Sequence, residues 1–148
     1  MKYIITIPIV MIVLVGAGFW GWKNFLPQYS ADSNDAAQVN RGQIVYQQYC
    51  ATCHGKNLEG QPEWRYRKPD GRLPAPPHDE TGHTWHHPDE HLVGLTKFGP
   101  GKFVPGGYES DMPAFDDVLP DEDIWAVIAF IKSTWAAGIL ERQSRTNQ

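Results

Sequence analysis

The sequence predicts an all-α domain preceded by a single membrane-spanning helix. Three observations carry this expectation. Apolar residues recur at three- and four-residue steps in several segments. No stretch is strand-rich and none repeats. The run from Tyr3 to Trp22 contains no charged residue. At 148 residues the chain fits one modest domain. The charged residues are interspersed, with no basic block and a formal net charge of −4, which excludes a nucleic-acid partner.

The first element is the apolar run. Twenty residues at 1.5 Å each reach about 30 Å, the thickness of a bilayer core. A cleaved signal peptide has a shorter apolar stretch, about 7–15 residues, followed by a small-residue cleavage site. Here Val15-Gly16-Ala17 lies inside the run and Ala36-Ala37 far beyond it. Residues 1–25 are therefore expected to be an uncleaved anchor, with Tyr3, Trp20 and Trp22 at the interfaces. Lys2 and Lys23 flank both ends, so charge leaves the orientation open. Residues 26–38, with Pro27, Ser30, Ser33 and Asn34, read as a flexible linker. A domain over 39–140 and a polar, frayed tail over 141–148 complete the division.

Within the domain, the spacing of Ala36, Val39, Ile44 and Val45 predicts a helix up to Tyr49, with Asp35 placed to cap it. Residues 55–84 are interrupted by prolines and read as irregular. A short helix is expected over 88–97, with Asp89 and Glu90 at its positive end and Gly99 after it. A Gly/Pro-rich loop follows to Asp117. A helix over 120–138 carries the apolar stripe Ile124, Val127, Ile128 and Ile131 behind an acidic first turn.

The chemistry sits in Cys50-Ala51-Thr52-Cys53-His54. Cys-x-x-Cys-His is the attachment pattern of a c-type haem. Two thiols at that spacing reach the two vinyl groups of one porphyrin, and the adjoining histidine supplies the proximal nitrogen. A thioredoxin-like pair belongs in a βαβ context, which is not found here, and two cysteines are too few for a disulfide framework or a zinc finger.

From Val39 to Gly138 the chain resembles the class I cytochromes c. The resemblance rests on Arg41-Gly42-Gln43-Ile44-Val45-Tyr46, the haem motif with Gly55, Asp111-Met112-Pro113-Ala114-Phe115, and Leu119 through Ser133. It implies a cytochrome c-like helical domain around one covalent haem c. It also implies close crossing of the two terminal helices, with Gly42 and Tyr46 facing Phe130. Met112, 58 residues after His54, is expected as the distal ligand, since a thioether suits haem iron and raises its potential. Iron would thus be held by His54 and Met112. The family also uses a proline carbonyl to fix the proximal imidazole, and Pro76 and Pro77 are both open for that role.

His78, His83, His86, His87 and His91 crowd into fourteen residues. Imidazoles suit copper or zinc, and His87 and His91 are spaced to share a helix face. With no nearby cysteine and no paired carboxylates, they are read instead as lining the haem-edge loop, bonded to backbone or propionates. Any of them in place of Met112 would lower the potential. Trp64, Tyr66, Trp85 and Tyr108 are read as packing on the porphyrin.

These readings point to an electron-transfer protein rather than an enzyme. Two protein ligands leave no open iron position, and no distal acid–base pair suggests a peroxidase or gas sensor. Lys2 and Lys23 apart, 11 Lys and Arg face 17 Asp and Glu, which favours a partner with a positive or apolar docking face. The expected partners are a membrane-associated donor and acceptor. The alternative is a fixed haem subunit of a larger redox complex. Haem attachment at this motif, as the resemblance implies, is extracytoplasmic. That places the domain in the periplasm, tethered to the inner membrane by a single pass.

Overall fold

The computed structural model describes residues 29–148. The proposed anchor over 1–25 lies outside the described residues. Among the described residues there are five α-helices: α1 (Ala36–Tyr49), α2 (Ala51–His54), α3 (Asp89–Phe98), α4 (Asp121–Ser133) and α5 (Ala137–Ser144). Single 3-10 turns occur at Thr84–His86, Pro100–Lys102 and Arg145–Asn147. Among the described residues there is no strand, and no helix is long and apolar enough to cross a membrane. The all-α expectation therefore holds for the domain.

Asp35 starts α1 by accepting from the backbone N–H groups of Ala37 at 2.9 Å and Gln38 at 3.2 Å. These donors have no partner inside the helix, so the cap replaces a lost solvent bond. α1 then lies across α4. A Cβ at Gly42 would stand 1.9 Å from the Ala126 carbonyl oxygen and 2.9 Å from Phe130 Cβ, so only glycine permits this approach. Beside it, the fully buried Tyr46 ring meets Phe130 at 5.4 Å. Val45, Ile124, Val127, Ile128 and Ile131 fill the same core, joined by Leu92 and Val93 of α3.

Three expectations are corrected. α4 stops at Ser133 instead of running to Gly138. Ser133 Oγ and Thr134 Oγ1 turn back to the carbonyls of Phe130 and Ile131, each at 2.7 Å. Trp135, 4% exposed, donates its indole N–H to the His78 carbonyl at 2.8 Å, and Ala136 leaves the helical conformation. The tail is not frayed: α5 continues to Ser144, and Gln143 is 1% exposed. Its amide donates to Asp89 Oδ1 at 2.6 Å and to the His87 carbonyl at 3.2 Å. Residues 29–38 are not a free coil either. Residues 36–38 belong to α1, Ala31 is buried, and its carbonyl accepts from Lys132 Nζ at 3.0 Å.

Candidate haem site

α1 runs almost directly into α2, so the motif is presented on helical backbone. Cys50 joins the two helices, and Gly55 closes α2 with its N–H on the Ala51 carbonyl. The Gly55 carbonyl accepts from the Tyr46 hydroxyl at 2.9 Å, which ties the end of the motif to the helix crossing. Cys50 is half-buried and Cys53 exposed, and both are free thiols. Burial, with a smaller contribution from Cys53, pushes the Cys50 thiol up to about 11.

His54 is buried, and its Nδ1 stands 2.9 Å from the Pro76 carbonyl oxygen. A carbonyl can only accept, so the proton is on Nδ1 and the lone pair on Nε2. Burial lowers the His54 pKa against the opposing effect of this bond, which keeps the ring neutral, as a metal ligand must be. Of the two prolines left open by the sequence, Pro76 faces His54. Pro77 is buried beside it, with Thr84 Oγ1 3.5 Å from its carbonyl.

Gly60 sets that placement. Its φ is +67°, and a Cβ there would fall 2.4 Å from Pro77 N and 2.6 Å from the Pro76 carbonyl carbon. Its N–H donates to the His54 carbonyl at 2.8 Å. The chain after the motif is thus pressed between His54 and the two prolines. Sequence reading missed Gly60, because nothing local distinguishes it from a turn glycine.

His78 was grouped with the loop-edge histidines, yet its ring stacks on His54 with centroids 4.1 Å apart. Its Nδ1 shares a 2.8 Å hydrogen bond with Thr84 Oγ1. Burial, then the neighbouring His54 and His83, hold it well below the ordinary histidine pKa. Three of the others form a chain of rings, His83 to His87 at 5.5 Å and His87 to His91 at 4.9 Å, while His86 stacks on Trp85 at 3.7 Å. His87 precedes α3 rather than sharing its face, and Pro88 caps that helix. Among the described residues no group of three His, Cys, Asp or Glu side chains could hold a metal. Trp64 stacks on His83 at 5.4 Å, and Tyr66 is 69% exposed.

Met112 is partly buried and packs against the core cluster. Its loop is fixed downstream by Phe115, whose N–H donates to the Lys97 carbonyl at 3.0 Å at the end of α3. Upstream, Asp111 is bound by Lys68 and Arg72, and the hydrogen bonds from these two cations hold its carboxyl below the usual carboxylate range.

These residues fit a covalently attached haem. Two free thiols precede an imidazole whose Nε2 is available, and a thioether is carried on a separate loop. The indole Nε1 of Trp85 is buried with no hydrogen-bond partner among the described residues, an orphan donor of the kind that a haem propionate would satisfy.

The model of the family described as cytochrome c oxidase, cbb3-type, subunit III matches residues 37–131. The chain belongs to this family. The match runs from the first turn of α1 to the last turn of α4, so it spans the helix crossing, the haem motif and the Met112 loop. The domain is a c-type cytochrome domain, and membership implies a covalently bound c-type haem and a role in electron transfer. Comparison with curated proteins and with solved structures gives no match.

Proposed function

We propose that this chain is a monohaem cytochrome c that passes single electrons between membrane-associated partners on the periplasmic side. The haem would be held by thioethers to Cys50 and Cys53, with His54 and Met112 as axial ligands. Bound there, it supplies a reversible one-electron ferric–ferrous couple. The protein's own residues do the rest. The Pro76 carbonyl fixes the His54 ring and its tautomer, the α1–α4 crossing keeps the motif rigid, and the Met112 loop covers the distal side. The observation that carries this reading is the 2.9 Å contact from His54 Nδ1 to Pro76 within a Cys-x-x-Cys-His helix. An anchor at residues 1–25 would hold the domain near its partners, and the acidic balance favours a partner with a positive patch.

The test is intact mass together with a potentiometric titration. The full chain should carry one covalent haem, lost in Cys50→Ser/Cys53→Ser, and should titrate as a single one-electron couple. A chain that matures without covalent haem would end this reading.

The family description favours a second arrangement, in which the domain is a fixed station in a terminal oxidase. Mild detergent extraction distinguishes the two. A fixed subunit co-purifies in stoichiometric amount with oxidase subunits, whereas a mobile carrier runs alone.

A further inference from the structure

The loop over residues 61–75 reaches both sides of the proposed iron site. Its neck is closed by Gln61, whose N–H donates to the Ala75 carbonyl at 2.9 Å and whose Oε1 accepts from the Ala75 N–H at 3.0 Å. Pro76, the partner of His54, follows directly. Its tip is a tight turn, with Lys68 N on the Arg72 carbonyl at 2.8 Å and Arg72 N on Asp70 Oδ1 at 3.0 Å. Arg67 Nη1 braces it at the Gly71 carbonyl, 2.6 Å away.

That turn aims its cations at the segment leading into Met112. Arg72 Nη1 donates to Asp111 Oδ1 at 2.8 Å and Arg72 Nη2 to Glu109 Oε2 at 3.0 Å. Lys68 Nζ donates to the other oxygen of Asp111. The Arg67 guanidinium lies over the Tyr108 ring, 5.3 Å from its centre. Asp111 is thus gripped through both oxygens, one residue before the sulfur-bearing side chain.

We propose that Lys68 and Arg72 are positioning residues for Met112, clasping Asp111 so that the ligand loop stays closed over the iron. This rests on the reading of Met112 as sixth ligand. A carboxylate held through both oxygens by two cations within a charge network is an arrangement in which partly exposed ion pairs hold geometry better than isolated pairs. Because the charges still touch water, salt weakens the clasp while leaving the buried packing of the loop intact.

The test is the rate at which imidazole displaces Met112 from the ferric iron of the haem-loaded full chain. Loss of the far-red sulfur-to-iron charge-transfer band follows the exchange. The double variant Lys68→Gln/Arg72→Gln should exchange about fivefold faster than wild type at low salt. High salt should speed the wild type toward the variant and leave the variant unchanged, while Arg72→Lys should lie between. Far-UV circular dichroism should be the same for all. Equal rates and equal salt response, with the band present in wild type, overturn the clasp alone. A wild type without the band overturns the methionine ligand itself, and the clasp falls with it.

Discussion

Around His54 the fixing contacts are buried and made largely by backbone: the Pro76 carbonyl, the Gly60 amide, and helices that touch where Gly42 has no side chain. Around Met112 the loop is fixed on one side by buried Phe115 and on the other by charges that still meet solvent. The proximal side can move only if the core moves. The distal side can loosen by itself, at a cost that ions in solution can alter. With His54 and Met112 as the proposed axial ligands, such an arrangement would let potential and ligand exchange vary without refolding the domain.

The comparison breaks most easily at the buried charge behind the core. Lys132 Nζ bonds Asp89 Oδ2 at 2.6 Å and the Ala31 carbonyl at 3.0 Å, with only 9% and 14% of the two side chains exposed. Lys132→Ala leaves the buried Asp89 carboxylate without its cation, held by the Gln143 amide alone, and should cost about 4 kcal/mol by denaturant unfolding. Gly42→Ala forces α1 off α4 and should cost about 3 kcal/mol by the same measurement, with the haem-linked potential shifting alongside. A loss below about 1 kcal/mol would mean that the crossing is not the rigid frame described. Tyr46→Phe removes the bond to the Gly55 carbonyl and should cost about 1 kcal/mol.

The smallest effect lies in the histidine chain. Partial burial first, then the neighbouring histidines and, at His83, Arg65, lowers the pKa of His83 and of His87. Each therefore binds its proton more weakly folded than unfolded. The folded state is undisturbed above the unfolded value, about 6.5, and loses stability as pH falls from there toward the lowered folded value. His83→Gln/His87→Gln should flatten the acid side of the stability profile. An unchanged slope would show that these rings do not titrate with folding.

Much of the proximal side was legible because its signals are local. Asp35 before an apolar-periodic run marked the start of α1, the five-residue haem motif marked its end, and the Pro76-Pro77 pair narrowed the His54 partner to two. The distal clasp was not legible, since Lys68 and Arg72 lie about forty residues before Asp111 and nothing local ties them together. The end of α4 was misread for a related reason. Nothing local shows that Trp135 is buried against His78, where Ser133 and Thr134 turn back and the helix stops. Lys132 was not singled out in the sequence, because only the fold brings Asp89 and Ala31 to it.

The most direct test of the central claim is the optical spectrum of the haem-loaded ferric chain, with and without Met112. The account expects a weak far-red charge-transfer band that vanishes in Met112→Ala, while the wild-type ferrous protein leaves carbon monoxide unbound. A ferric wild type lacking that band, with a ferrous form that takes up carbon monoxide readily, would contradict it and point to an open iron or to a histidine in the sixth position.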